Sequence, residues 1–509
     1  MPLVVLFGLG IQFLKIDLST GYFNTLTEKA ALFQGKGAET SSLFTKRDLR
    51  ALIKPDDLLR DPGGKIDLHH SDRSFSLETS LDRGLQDYML KKISSSQSPM
   101  IGFVAMDPNT GRILAMADSK KVDGVKSVCL SSRFPAASIF KIVSAAAAID
   151  GCQISPDTQL TYNGRRHTLY KKQLTPRTNR YTNKVSLKTS FAKSVNPVFG
   201  KLGIYRLKRQ LLEEYAGRFG FNQPIEFELA LQPSRISVGD DPYHWAELTC
   251  GFNRETLISP VHGAMMAASI INDGKLVEPT IVQRITDNEE KTVYAEPMRV
   301  MRQVISRKAS QQMKTLMAAT ITYGTCRRTF RGYRRDPVLS KLLIGGKTGS
   351  INNKTDELHY DWFVGFCAEK KGKRKLALAV LVVHDKLLRA KAQEFARLAM
   401  RYYFKNPHAR RADRHDANRE LGNSPLPHDD LTHRMEGVTS AVLEDFCRQL
   451  LPETGIDLWN PGQHTVVSTH GGIGSPQGVR KAPNHATKHE GFKNEQDHRR
   501  QKAEGLGLP

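Results

Sequence analysis

Apolar residues recur every four positions at Leu81, Leu85, Met89 and Ile93, which predicts a helix carrying a single apolar stripe. Two short apolar runs follow at 101–106 and 112–117. Between them Asp107-Pro108-Asn109-Thr110-Gly111 has the residues of a tight turn, so the pair reads as a β-hairpin. Residues 138–150 are rich in Ala and Ile with no Gly or Pro and predict a helix buried on most sides. Further helical patterns cover 186–194, 205–219 and 258–273. Strand signals return at 342–344, 362–367 and 376–383, and 390–404 predicts a closing helix. Two strands, a block of helices, three strands and a helix imply an α+β fold. Its core would be an antiparallel five-stranded sheet flanked by helices, with an all-helical subdomain inserted.

The flanks read differently. Residues 1–15 are almost wholly apolar but short of a bilayer span, with no basic stretch before them. They are expected to be either the truncated remnant of an N-terminal anchor or a buried strand or helix. Residues 16–75 mix short polar runs, a basic-then-acidic stretch and a Pro62-Gly63-Gly64 turn, as in a linker or small pedestal. The folded body is expected over 76–405. Beyond it, 406–509 forms a tail rich in His, Gly and Pro in which order is doubtful, with one amphipathic pattern at 438–451.

Composition narrows the function only in part. A chain of 509 residues, 39% hydrophobic and 25% charged, has room for one large or two medium cores. Its formal net charge of +23 suits nucleic acid, an anionic membrane surface or a polyanionic substrate. The tail holds 13 Lys/Arg against 14 Asp/Glu, so the excess lies in the first 405 residues. With no zinc-finger spacing and no aromatic-basic motif of an RNA-binding sheet, no nucleic-acid role is expected. The six cysteines include no C-x-x-C pair and read as scattered core residues, Cys367 as a small apolar side chain on a buried strand. Nine of the 16 histidines are dispersed through the tail, and no metal site is expected.

Three short elements carry chemistry: Ser138-Ile139-Phe140-Lys141, Ser194-Val195-Asn196 and Lys347-Thr348-Gly349-Ser350. A serine at neutral pH needs an adjacent base to be a nucleophile. Residues three apart share a helix face, so Lys141 can reach the Ser138 hydroxyl. At the start of a helix, Ser138 also sits where free N–H groups favour developing negative charge. Lys141 can serve as a base only if burial or a neighbouring cation lowers its pKa, which the apolar surroundings from Ile139 to Ala148 would do, with Lys347 arriving from elsewhere. Ser190-Phe191-Ala192-Lys193 repeats the Ser-x-x-Lys spacing but lies too close to Ser194 to serve. Gly345-Gly346 suggests a strand whose backbone a ligand approaches closely.

The ordered triple resembles the penicillin-binding protein and serine β-lactamase superfamily. The likeness runs on through AMDPNTGRILAMA at 105–117, PAASIFKI from Pro135, Ser259-Pro260, Asn272-Asp273-Gly274-Lys275 and Asp361-Trp362-Phe363-Val364-Gly365. In all it covers roughly 75–405, in order.

The resemblance implies a D,D-transpeptidase that cross-links peptidoglycan stem peptides and is also acylated by β-lactams. Ser138 would attack the penultimate D-Ala carbonyl, and Lys141 would take its proton. Ser194 would relay a proton to the departing nitrogen, and Asn196 would hold Lys141 and the substrate amide. Lys347 would add positive potential, and Thr348 would bind the terminal carboxylate beside Gly349 and Ser350. The N–H groups of Ser138 and Ser350 would form the oxyanion hole. No cofactor is implied. The 75 residues before the body leave no room for a glycosyltransferase domain, so a monofunctional, class B-like enzyme is expected. Its place would be the bacterial cell envelope, on the periplasmic outer face of the cytoplasmic membrane, with a membrane anchor and the cell-wall synthesis machinery as partners. D,D-carboxypeptidase, β-lactamase and a weakly catalytic penicillin-binding sensor or scaffold share the acylation half-reaction and remain as alternatives.

Overall fold

Strict alternation of side chains builds the centre of the molecule. In the run Lys375–His384, Leu376, Leu378, Val380 and Val382 pack into one apolar cluster, while Ala377, Ala379, Leu381 and Val383 pack into another. Such a strand is buried on both faces, so it reads as a continuous apolar run. Five strands, labelled in chain order β1 (Met100–Met106), β2 (Ile113–Lys120), β3 (Leu342–Asn352), β4 (His359–Glu369) and β5 (Lys375–His384), form one sheet. Their order is β3-β4-β5-β1-β2 with antiparallel pairing throughout. The computed structural model describes residues 43–405 except 61–65, 71–72, 122–124, 296–297, 386 and 388. The apolar segment at 1–15 and the helix expected at 438–451 lie outside the described residues.

One sheet face is covered by α1 (Arg83–Ser94) and α9 (Ala392–Lys405), which bury Leu85, Met89, Ile93, Phe395 and Met400 against it. Asp82 caps α1 through the Leu85 N–H, so the helix begins two residues after Leu81. The other face takes α7 (Pro260–Ile271), whose twelve residues are all buried. A helix apolar on every side needs cover on every side, and α7 has the sheet below and the helical body around it.

Between β2 and β3 the chain supplies that body, which is mostly helical but also holds short antiparallel strand pairs, among them Gln159–Tyr162 with Asn183–Ser186 and Lys275–Val277 with Val300–Gln303. It contains α2 (Lys141–Asp150), α3 (Leu187–Ala192), α4 (Asn196–Leu202), α5 (Lys208–Arg218), α6 (Pro242–Cys250) and, after α7, α8 (Arg307–Thr322). Several expected boundaries move. The helix expected at 205–219 starts at Lys208, after a π-turn over Gly203–Leu207. The strand expected at 342–344 runs on to Asn352, because pairing with the apolar β4 carries its glycines.

Residues read as a linker or small pedestal form part of this body where they are described. Arg73–Thr79 pairs antiparallel with Val282–Asp287, and Phe44, Leu49, Leu58, Phe75 and Leu77 are buried. The buried Lys46 ammonium donates to Glu278 Oε1 at 2.7 Å and to the Pro279 carbonyl at 2.8 Å. The apolar positions in these elements are too few to show a period in the sequence.

A single tryptophan ties the sheet to the chain just before Ser138. Trp362 on β4 is fully buried and its Nε1 donates to the Pro135 carbonyl at 2.9 Å. Trp362→Phe should leave that carbonyl unpaired and cost about 1–3 kcal/mol, read as a fall in thermal midpoint. An unchanged midpoint would mean the bond contributes nothing.

Candidate active site

Ser138 lies in a 3-10 turn, Ala137–Phe140, that runs directly into α2. It is half-buried, and Lys141, one helical turn on, is fully buried. The turn is forced: Ala137 holds φ +48°, a conformation that side-chain-bearing residues rarely adopt. Against it lies Gly251, the left-handed cap of α6 at φ +66°, where a methyl group would overlap the Ala137 carbonyl. Helix α6 therefore ends against the backbone of the serine turn.

Lys141 Nζ has three partners. It lies 2.9 Å from Ser138 Oγ and 2.9 Å from Asn196 Oδ1, and it donates to the Cys250 carbonyl. The Phe199 ring centroid is 5.4 Å away. No carboxylate pairs with it among the described residues. Burial therefore pushes its pKa down to about 8.

Ser194 stands between α3 and α4 with φ +54°, another uncommon backbone for a non-glycine residue. Its N–H donates to the Phe191 carbonyl, and that of Val195 to the Ser190 carbonyl, closing α3. The turn directs Ser194 Oγ to Lys347 Nζ at 3.1 Å. Asn196, two residues on, takes Lys141. Ser194 and Asn196 thus each face one buried lysine.

Lys347 is fully buried on the outer strand β3, with the Phe191 ring 5.7 Å from its Nζ. Desolvation, reinforced by the nearby Lys141, lowers its pKa well below the ordinary value. Its Nζ also donates to the Thr348 carbonyl at 2.8 Å. Thr348 Oγ1 meets Thr325 Oγ1 at 2.7 Å. A Cβ on Gly349 would stand 3.1 Å from the Ala136 carbonyl oxygen, so the strand edge lies against the serine turn. Ser350 is exposed, and its Oγ lies 2.9 Å from His359 Nε2 on β4.

Six of the eight expected residues form two contact groups, Ser138 and Asn196 around Lys141, and Ser194 and Thr348 around Lys347, and the short segment Ser194-Val195-Asn196 belongs to both. Gly349 adjoins them, and Ser350 bonds across to β4 instead. In the competing Ser-x-x-Lys pair, Ser190 is buried and Lys193 is exposed. Gly345 and Gly346 do not serve the expected ligand approach: methyl groups there would run into the rings of Phe366 and Phe363 on β4, so these glycines make room for packing. Sequence reading passed over the Cys250 carbonyl, Gly251, Phe191, Phe199 and Thr325. Only Gly251, a glycine just past a helix pattern, left a signal. Among the described residues no cluster of His, Cys, Asp and Glu could hold a metal ion, and no helix is long and apolar enough to cross a membrane.

A serine–lysine pair set against the outer strand of a five-stranded antiparallel sheet, with a second lysine on that strand, defines the class of fold. Residues 101–401 match the model of the penicillin binding protein transpeptidase domain. The chain belongs to that family. It is similar to the peptidoglycan D,D-transpeptidase PbpA of Mycolicibacterium smegmatis, 25% identical over 408 residues, 72% of this chain and 75% of the relative. It is also similar to stage V sporulation protein D of Bacillus subtilis, 26% identical over 324 residues, and spans 47% of that protein's length. Among solved structures, the D,D-transpeptidase domain of a peptidoglycan glycosyltransferase from Eggerthella lenta shares the fold at TM-score 0.55 and 20% identity, covering 65% of this chain and 83% of that one. Penicillin-binding protein A from M. tuberculosis, solved as an imipenem acyl-enzyme complex, does so at TM-score 0.53 and 21% identity, covering 64% and 79%.

The covering rings give a direct test of the electrostatics. Followed by NMR of its ε-carbon, Lys141 should titrate near pH 8. Phe199→Ala, which opens the site to water, should carry the midpoint back toward that of an ordinary lysine. A midpoint above about 10 in the unaltered protein would contradict the burial argument.

Proposed function

We propose that the protein is a serine-type D,D-transpeptidase acting on peptidoglycan stem peptides, with Ser138 as the nucleophile. One observation carries the reading: Lys141 Nζ has three neutral oxygens around it, one of them Ser138 Oγ. A neutral amine has two N–H bonds and one lone pair. With the N–H groups given to Asn196 Oδ1 and the Cys250 carbonyl, the lone pair faces the Ser138 proton.

The reaction follows from that placement. Ser138 Oγ bonds to the penultimate D-Ala carbonyl carbon as its proton passes to Lys141. The oxyanion is held by the Ser138 and Ser350 N–H groups. When the C–N bond breaks, the departing D-Ala nitrogen takes the proton that Lys141 had accepted, relayed through Ser194, which Lys347 contacts. Thr348 and Lys347, at the strand edge beside Gly349, receive the terminal carboxylate. A stem-peptide amine then attacks the ester carbon; its proton passes to Lys141 and on to Ser138 Oγ as the ester C–O bond breaks, which frees Ser138 and leaves the cross-link. A β-lactam enters the same first step and stops at the ester.

The curated relatives named as peptidoglycan D,D-transpeptidases support this reading, as does a site edge suited to an extended peptide. The cell envelope is the corresponding location, with the outer face of the cytoplasmic membrane and cell-wall synthesis proteins as the proposed setting. The excess positive charge of the body suits an anionic wall or lipid surface.

Intact-protein mass spectrometry after benzylpenicillin treatment should give one adduct, mapped to Ser138 and absent in Ser138→Ala. The same variant should lose D-Ala release from a pentapeptide stem by on the order of 10⁴-fold or more. An adduct on another residue, or equal release by both proteins, would overturn the assignment. Adduct formation without D-Ala release from the unaltered protein would make it a sensor rather than an enzyme.

A further inference from the structure

The carboxamide of Asn196 has two chemically opposite ends, and only its oxygen can accept from Lys141. Which end faces Lys141 is decided by what holds the other. Asn196 Nδ2 donates to the His167 carbonyl at 3.0 Å. Its backbone N–H donates to the Arg166 carbonyl at 2.7 Å. Two adjacent carbonyls of one loop therefore fix both the position and the sense of Asn196.

That loop, residues 163–170, has no regular structure of its own, and Arg165, Arg166 and His167 are exposed. It is braced from within by one side chain. Gln173 is 3% exposed. Its Nε2 donates to the Asn163 carbonyl at 2.9 Å and the Arg165 carbonyl at 3.1 Å. Its Oε1 accepts from the Tyr170 N–H at 2.9 Å and from Thr168 Oγ1 at 2.9 Å. The four bonds use the full capacity of a carboxamide and join the two ends of the loop. Gly164, at φ +73°, leaves the space in which this amide sits, since a Cβ there would lie 3.0 Å from Gln173 Nε2. Gly200 on α4 opens a second space, for Leu169 and Leu174, which seats the braced loop on the helix that begins with Asn196.

We infer that Gln173 is a positioning residue for acyl transfer: by bracing the 163–170 loop it aims the Arg166 and His167 carbonyls at Asn196, and through Asn196 it orients Lys141 toward Ser138. Without the brace the Asn196 amide is free to turn its nitrogen toward Lys141, and two donors then face each other. The inference rests on the proposed role of Lys141 and Ser138.

A double-mutant cycle on the full chain tests it, with the second-order rate constant of benzylpenicillin acylation as readout. Gln173→Ala should slow acylation about 10-fold in the unaltered background. In an Asn196→Ala background the same change should alter the rate less than about 2-fold, because the group it acts through is gone. Gln173→Met keeps the length and bulk of the side chain but makes none of the four bonds, so it should slow acylation to a similar extent with a thermal midpoint closer to that of the unaltered protein. If Gln173→Ala does not fold, the cycle is run with Gln173→Met. Effects that multiply across the two backgrounds, or a rate unchanged by either Gln173 variant, would overturn the inference. An unaltered protein that takes up no penicillin on Ser138 would overturn the underlying reading first, before any Gln173 variant is compared.

Discussion

An ammonium group shut away from water, with no counter-ion among the described residues, is the constraint on which this site depends. Lys141 is fully buried, and its partners are three neutral oxygens. Burial of an unpaired charge is costly, and a lysine escapes the cost by giving up its proton. Lys347 is buried close by and makes the protonated state of the pair less favourable still. The fold therefore has to supply two things together, dry walls and oriented acceptors.

The walls come from Phe191 and Phe199, which lie three residues on either side of the Ser194-Val195-Asn196 element and cover one lysine each. The acceptors come from three separate parts of the chain: the serine turn, the start of α4 and the end of α6. Each is held by something outside the site. Trp362 holds the chain before the serine turn, Gly251 lets α6 end against it, and the 163–170 loop holds Asn196. Two side-chain-bearing residues in the left-handed region, Ala137 and Ser194, sit at the centre of this arrangement. Strain of about 1–3 kcal/mol at such positions persists only where the surroundings over-determine the backbone.

Much of this was legible before the structure. The four-residue stripe of α1, the hairpin of β1 and β2, and the apolar runs of β4 and β5 are local patterns, and local patterns survive in sequence. The three elements that carry the candidate site residues were legible because they occur together, in order, as a motif set, and not because any one of them is rare. What the sequence hid has a common physical cause: backbone carbonyls carry no residue-type signature, so Cys250, Arg166 and His167 gave no hint of their part. Phe191 and Phe199 looked like ordinary core residues. The Gly345-Gly346 pair was misread because a glycine records only that space is needed, and here rings on β4 fill it. The early segment around Phe44 and Phe75 joins the body through pairing with a strand some 200 positions later, a contact that no local window contains.

The central claim is that acylation waits on a neutral Lys141. Its pKa is depressed in the folded protein, so the neutral form is scarce well below pH 8 and predominates above it. The most direct measurement is the pH dependence of the benzylpenicillin acylation rate constant for the unaltered protein and Lys141→Ala. The rate should climb with pH through a midpoint near 8, and the variant should keep a residual rate about 10²–10⁴-fold lower with that limb missing. A flat profile, or a variant that keeps the same limb, would contradict the claim.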